Sequence, residues 1–217
     1  MTTTLTTLRD RLEQTLQDTG NTKWTTNQLD EALRQALAAY SEHLPHRAVT
    51  TVTLPAAGRE IDISTITYRD IERIWWDYDA TDPDHPPHWR DFDVWPGDIL
   101  FVNDPDEPAS GDKVRIWYTA DHTITDLDTA TETTLPSRHE SLIVQGASGF
   151  AAAARRVTIL EQVNLNEWAP RNLREWAELQ LTSFYHALQE IASRQAALDS
   201  GTAAAPALDR WDGDGVW

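Results

Sequence analysis

The stretch 112–123, DKVRIWYTADHT, constrains this chain more than any other. Val114, Ile116 and Tyr118 alternate with Arg115, Trp117 and Thr119, the period of two that marks a half-buried strand. A Gly111-Asp112 turn precedes it, and behind it an Asp/Thr-rich segment leads into SRHESLIVQGASGFAAAARR, which reads as a helix. Helical spacing also fills the start of the chain. The order is therefore helices, strands ending at this one, and helices again: a β region inserted into a helical scaffold.

Leu5, Leu8, Leu12 and Leu16 predict a first helix over 5–18, with Gly20 as its C′ residue. In KWTTNQLDEALRQALAAYSEHLP, Thr25 and Gln28 form a capping box for a second helix over 26–42, which Pro45 stops. Trp24, just before that cap, is expected to staple the entry by packing on Leu29 or its surroundings. From Arg47 the texture changes. The Thr/Val-rich run 49–54 and the run 60–64, where Ile alternates with Asp, suggest a hairpin across a Pro-Ala-Ala-Gly turn. RDIERIWWDYD (69–79) places Ile74, Trp76 and Tyr78 on one face, and 89–94 and 98–102 are further strands around a Pro96-Gly97 turn. Short turns between strands imply antiparallel pairing.

A third helix over 137–163 begins at Ser137, with Glu140 completing a second capping box. Its buried face is Leu142, Ile143, Ala147, Phe150, Ala154 and Val157. Gly146 and Gly149 leave room for a closely packed helix, since glycine inside a helix costs about 1 kcal/mol relative to alanine. The last helix, 170–198, carries a stripe that includes Leu173, Trp176, Leu181, Phe184, Leu188 and Ile191. The expected fold class is α+β: one domain over 1–199, with helices in 5–45 and 137–198 and an antiparallel β region in 47–124. A tail, 200–217, is expected to be flexible when the protein is alone.

Composition narrows function. Of 217 residues none is cysteine, which removes thiolate nucleophiles, disulfides and Cys-ligated zinc. A net charge of −17 disfavours binding to nucleic acid through phosphates. No apolar run is long enough to span a membrane, and the N-terminus has no secretory signal, so synthesis in the cytoplasm is expected. Ten tryptophans suit interfaces more than a core alone.

Two clusters offer chemistry. Asp77, Asp79, Asp82 and Asp84 with His85 and His88 supply metal-type donors, but the spacing lacks the glycine and distal glutamate of a calcium loop, and His85-Pro-Pro-His88 is weak as a zinc pair. A solvated acidic loop is the preferred reading. Asp121-His122 has the composition of half an acid–base pair, yet no serine elbow or phosphate loop accompanies it, and a turn is preferred. Trp75 and Trp76 face opposite ways on a strand, so a single flat aromatic platform is not expected. No catalytic residue, cofactor or metal is assigned.

The motifs KWTTNQLDEALRQAL, RDIERIWWDYD, VRIWYTADHTI and TTLPSRHESLIVQGASGFAAAARR, followed by a long helix and a free tail, occur in an order that resembles the head-to-tail adaptor proteins of tailed bacteriophages. The likeness spans roughly residues 5–198; the acidic insert 79–88 departs from it. It implies a structural virion protein in the neck, a ring of about twelve copies between portal and a stopper or tail protein, with DNA passing through without tight binding. It also implies that the tail reaches the portal. There Asp209, Arg210, Trp211, Asp212, Gly213, Asp214, Gly215 and Trp217 combine acidic groups, a pliable backbone and two large anchors. The competing expectation is an acidic, non-catalytic module that binds metal or carbohydrate.

Overall fold

The computed structural model describes the backbone of residues 3–83, 87–160 and 168–199. Among these residues four helices and antiparallel sheets make an α+β fold, as the sequence implies.

The first helix, α1 (Leu5–Thr15), is capped by Thr4 and buries Leu5, Leu8 and Leu12. It stops short of residue 18, and Gln17, at φ 53°, takes the left-handed position expected of Gly20. Asp18 explains the difference. Its carboxylate accepts from the backbone N–H groups of Thr22 (3.0 Å), Lys23 (2.7 Å) and Trp24 (2.9 Å) and from the Thr22 hydroxyl (2.6 Å), so a buried acid, not glycine, turns the chain. Burial pushes this carboxyl up, but the four bonds outweigh it and hold the group well below the usual range.

Helix α2 (Thr26–His43) has the Thr25–Gln28 capping box with both bonds formed. Trp24 is buried, and its indole N–H donates to the Ala151 carbonyl at 3.1 Å, so it ties the entry of α2 to a distant helix.

Among the described residues the β region holds seven strands: β1 (His46–Thr53), β2 (Glu60–Asp62), β3 (Asp70–Trp76), β4 (Trp89–Arg90), β5 (Phe92–Trp95), β6 (Ile99–Val102) and β7 (Lys113–Ala120). One sheet runs β1-β7-β3-β4 and the other β2-β6-β5, every pairing antiparallel. The expected hairpin between the first two runs does not form. β1 instead pairs along its whole length with β7, Val49 opposite Trp117, and β2 pairs with β6. Strand length decides this, because an eight-residue β1 finds a full ladder on the eight-residue β7 and only a partial one on the three-residue β2. Ile61, Ile63, Ile71, Ile74, Trp76, Leu100, Val102, Val114 and Ile116 share one core.

A second core belongs to the helices. A single 3-10 turn, Ser137–His139, leads into α3 (Glu140–Leu160), and α4 (Trp168–Asp199) follows. The second capping box is absent: Ser137 opens the 3-10 turn, Pro136 stands at its cap, and no side chain caps it. Glu140 is drawn away, accepting from the Thr3 hydroxyl and pairing with Arg11 of α1 at 2.7 Å. A half-buried ion pair between two helices satisfies that carboxylate better than one backbone N–H does. Leu8, Leu12, Leu33, Tyr40, Ile143, Ala147, Phe184 and Leu188 fill this core, joined by Ile124, Leu127 and Leu135 from the segment returning from β7.

Candidate functional site

The outer face of the four-stranded sheet gathers what the sequence scatters. Strand alternation sends Trp76 to the core and Trp75 outward. Register then sets Arg73 opposite Trp117, Trp75 opposite Arg115, and Trp75 opposite Trp89. The rings of Trp75 and Trp117 lie nearly parallel, 6.5 Å apart, and Trp89 meets Trp117 edge-on at 5.1 Å. Tyr78 joins them, 5.0 Å from Trp75. It was expected on the face of Ile74 and Trp76, but Asp77 at φ 58° ends the strand alternation and turns Tyr78 outward.

Two guanidinium groups lie among these rings. Arg73 stands 5.0 Å over Trp89, and Arg115 stands 4.4 Å over Tyr78 and 5.3 Å from Trp117, with a hydrogen bond to the Tyr78 hydroxyl. Cations over aromatic faces gain about 0.5–2 kcal/mol, more as water is excluded. Among the described residues Arg115 has no carboxylate in ion-pair contact. The Arg115 Nε and Trp75 Nε1 groups are buried without hydrogen-bond partners. Val49 and Trp89, at 44% and 42% exposure, leave large apolar surface open on this face. The separation of Trp75 from Trp76 was legible in the sequence. The convergence of Trp75, Trp89 and Trp117 was not, because it depends on β7 lying between β1 and β3.

A second cluster lies where helices meet sheet. Tyr40, His43, His46, His122 and His139 line an open cleft of about 420 Å³ that also touches Arg47, Arg138 and Asp199. The Tyr40 hydroxyl lies 2.6 Å from His139 Nδ1, and the His122 ring is 5.1 Å from Tyr40 and 5.4 Å from His46. Burial pushes the Tyr40 phenol up to about 12. His122 is pushed down to about 4, first by burial and then by the positive charge His46 can carry. The expected Asp121–His122 partnership is not made. Asp121 turns out to Arg69 at 2.8 Å, while His122 turns in, its backbone N–H donating to Ser41 Oγ at 2.9 Å and its ring Nδ1 3.1 Å from Thr134 Oγ1. Consecutive residues at a strand end point opposite ways, which separates them.

In the acidic loop, Asp79 accepts from the Thr81 N–H and hydroxyl at 2.8 Å, a local turn. Asp84 and His85 lie outside the described residues, and no group of three metal-type donors occurs among those described. The tail residues Asp209, Arg210, Trp211, Asp212, Gly213, Asp214, Gly215 and Trp217 also lie outside them. Gly146 and Gly149 face α4: a Cβ on Gly146 would stand 2.8 Å from the Phe184 ring, and one on Gly149 2.8 Å from Leu181.

Two other apolar surfaces are exposed. One is on β5, where Val94 and Trp95 are 42% and 39% exposed and Trp95 stacks on Phe101 at 4.3 Å. The other is α4, where Leu179 and Leu198, each 62% exposed, and Tyr185 stand singly on different sides of the helix. No family model and no curated protein matches this chain.

Proposed function

We propose that this chain is a structural head-to-tail adaptor of a tailed bacteriophage, assembling as a ring between the portal and a stopper or tail protein. What supports the reading is that exposed apolar side chains stand on two unlike elements, Val94 and Trp95 on β5 and Leu179 on α4. A closed ring uses a heterologous contact, in which one patch of a subunit meets a different patch of the next. A chain with exposed apolar groups on two unlike elements has what such a contact needs. The close α3–α4 packing at Gly146 and Gly149 supports the same reading, giving α4 a rigid backing from which to present its outer face.

The net charge of −17 suits a passage for DNA, since phosphates meet like charge and slide instead of settling. The tail is assigned to the portal: Trp211 and Trp217 act as anchors, with Asp209, Asp212 and Asp214 facing basic groups there. Mixing the purified chain with portal rings, then weighing the complexes by native mass spectrometry, tests the proposal. The expected species is a portal ring carrying a second ring of this chain. Absence of any complex at tens of micromolar overturns it. A metal- or carbohydrate-binding module would stay monomeric and indifferent to portal.

A further inference from the structure

The end of α4 stands at the aromatic sheet face. Asp199, its last residue, is held by Arg47 of β1 at 2.9 Å, and Arg47 also reaches Glu72 of β3 at 2.9 Å. Both contacts lie on the outer side, because Arg47 alternates with residues that point toward the core, and Val49 follows on the same side. The described part of the chain therefore ends at the edge of the open face described above.

We infer that the tail docks in cis on this face, with residues 209–217 lying across Val49, Trp117 and Trp89. Three features choose this occupant. Reach is the first: the twelve residues from Asp199 to Trp211 span about 20 Å as a flexible chain. The face is only about 15 Å wide, from three strand spacings of about 4.8 Å. Charge is the second. The tail carries Asp209, Asp212 and Asp214 against one Arg210, and the face presents Arg73 and Arg115 among its rings. Surface type is the third, since Trp211 and Trp217 supply flat apolar groups able to cover the surface that Val49 and Trp89 still expose. A short tether holds the tail at millimolar effective concentration, so even a weak contact is populated. This goes beyond the portal reading and does not depend on it. If portal does take the tail, it competes with the sheet for the same tryptophans.

Cysteine pairing in the full chain, without portal, tests the inference cleanly because the native sequence has no cysteine. In the Val49→Cys/Gly213→Cys chain, an intramolecular disulfide should form under mild oxidation about tenfold faster than in a Leu198→Cys/Gly213→Cys control. Leu198 is 62% exposed and adjoins the tail, so chance collision favours the control. Adding Arg73→Glu, or raising salt to about 0.5 M, should bring the Val49 rate down to that of the control. Equal or slower pairing at Val49 overturns the inference. So does a product that is only disulfide-linked dimer, which would place the tail on a second copy. Portal binding is scored in a separate assay, so its failure leaves this result standing, and the reverse also holds.

Discussion

The ring of Phe184 occupies the space that a side chain at Gly146 would need: a Cβ built there stands 2.8 Å from the ring. Phe184 is fully buried, so its ring must shift within the core to admit that atom. Gly146→Ala should therefore destabilise the fold by about 1–3 kcal/mol despite the better helix propensity of alanine. Gly146→Leu should abolish folding or assembly. Urea unfolding measures the first, and a wild-type midpoint for Gly146→Ala would show that α4 shifts freely.

Trp24 links the α1–α2 turn to α3 through the Ala151 carbonyl. Trp24→Phe keeps most of the apolar volume and loses the hydrogen bond, an expected cost of about 1 kcal/mol. Trp24→Ala also leaves a cavity and should cost about 3–5 kcal/mol. Asp18→Asn removes the charge that holds the Thr22, Lys23 and Trp24 N–H groups, and should lower the melting temperature. If all three melt like wild type, this turn does not organise the helices.

Stability should fall as pH drops from about 6.5 toward 4. His122 has a folded value of about 4, below its ordinary 6.5, so the unfolded chain binds more protons between these values. The contribution is fully present above 6.5 and is lost as pH falls through that window. Burial also lowers His139, which adds in the same direction. Tyr40, His46 and Thr134 face His122 inside the cleft, with Arg47 and Arg138 on its walls. The open mouth admits water, so the loss is about 1–2 kcal/mol, less than the full shift implies. Urea midpoints across this window should decline for wild type and decline less steeply in His122→Gln, where only the His139 contribution is left.

Removal of 201–217 should leave the helices folded while abolishing attachment to portal. Trp211→Ala and Trp217→Ala should each weaken attachment by more than ~1 kcal/mol. Full attachment by the truncated chain would move the anchor elsewhere. Duplex DNA should show negligible affinity at physiological salt, since −17 must be overcome before any phosphate contact forms; submicromolar binding would contradict the role assigned to that charge.

Local chemistry determined the elements by sequence alone. The Leu5–Leu16 spacing, the Thr25–Gln28 box and the alternation around Ile116 each name a structure whose hydrogen bonds close within a few residues or whose apolar groups share one face. Glycines at 146 and 149 were legible as a close approach because nothing else explains them in a helix. Tertiary structure decided the partners. β1 chose β7 over its neighbour β2, Glu140 chose Arg11 over its cap, and Asp121 and His122 parted to opposite sides. The aromatic face and the histidine cleft exist only because of such choices, as Trp75, Trp89 and Trp117, or His46, His122 and His139, are far apart along the chain. Pairing over long separations is set by which arrangement satisfies every ladder group and buries the most apolar surface at once, and no window of the sequence contains that sum.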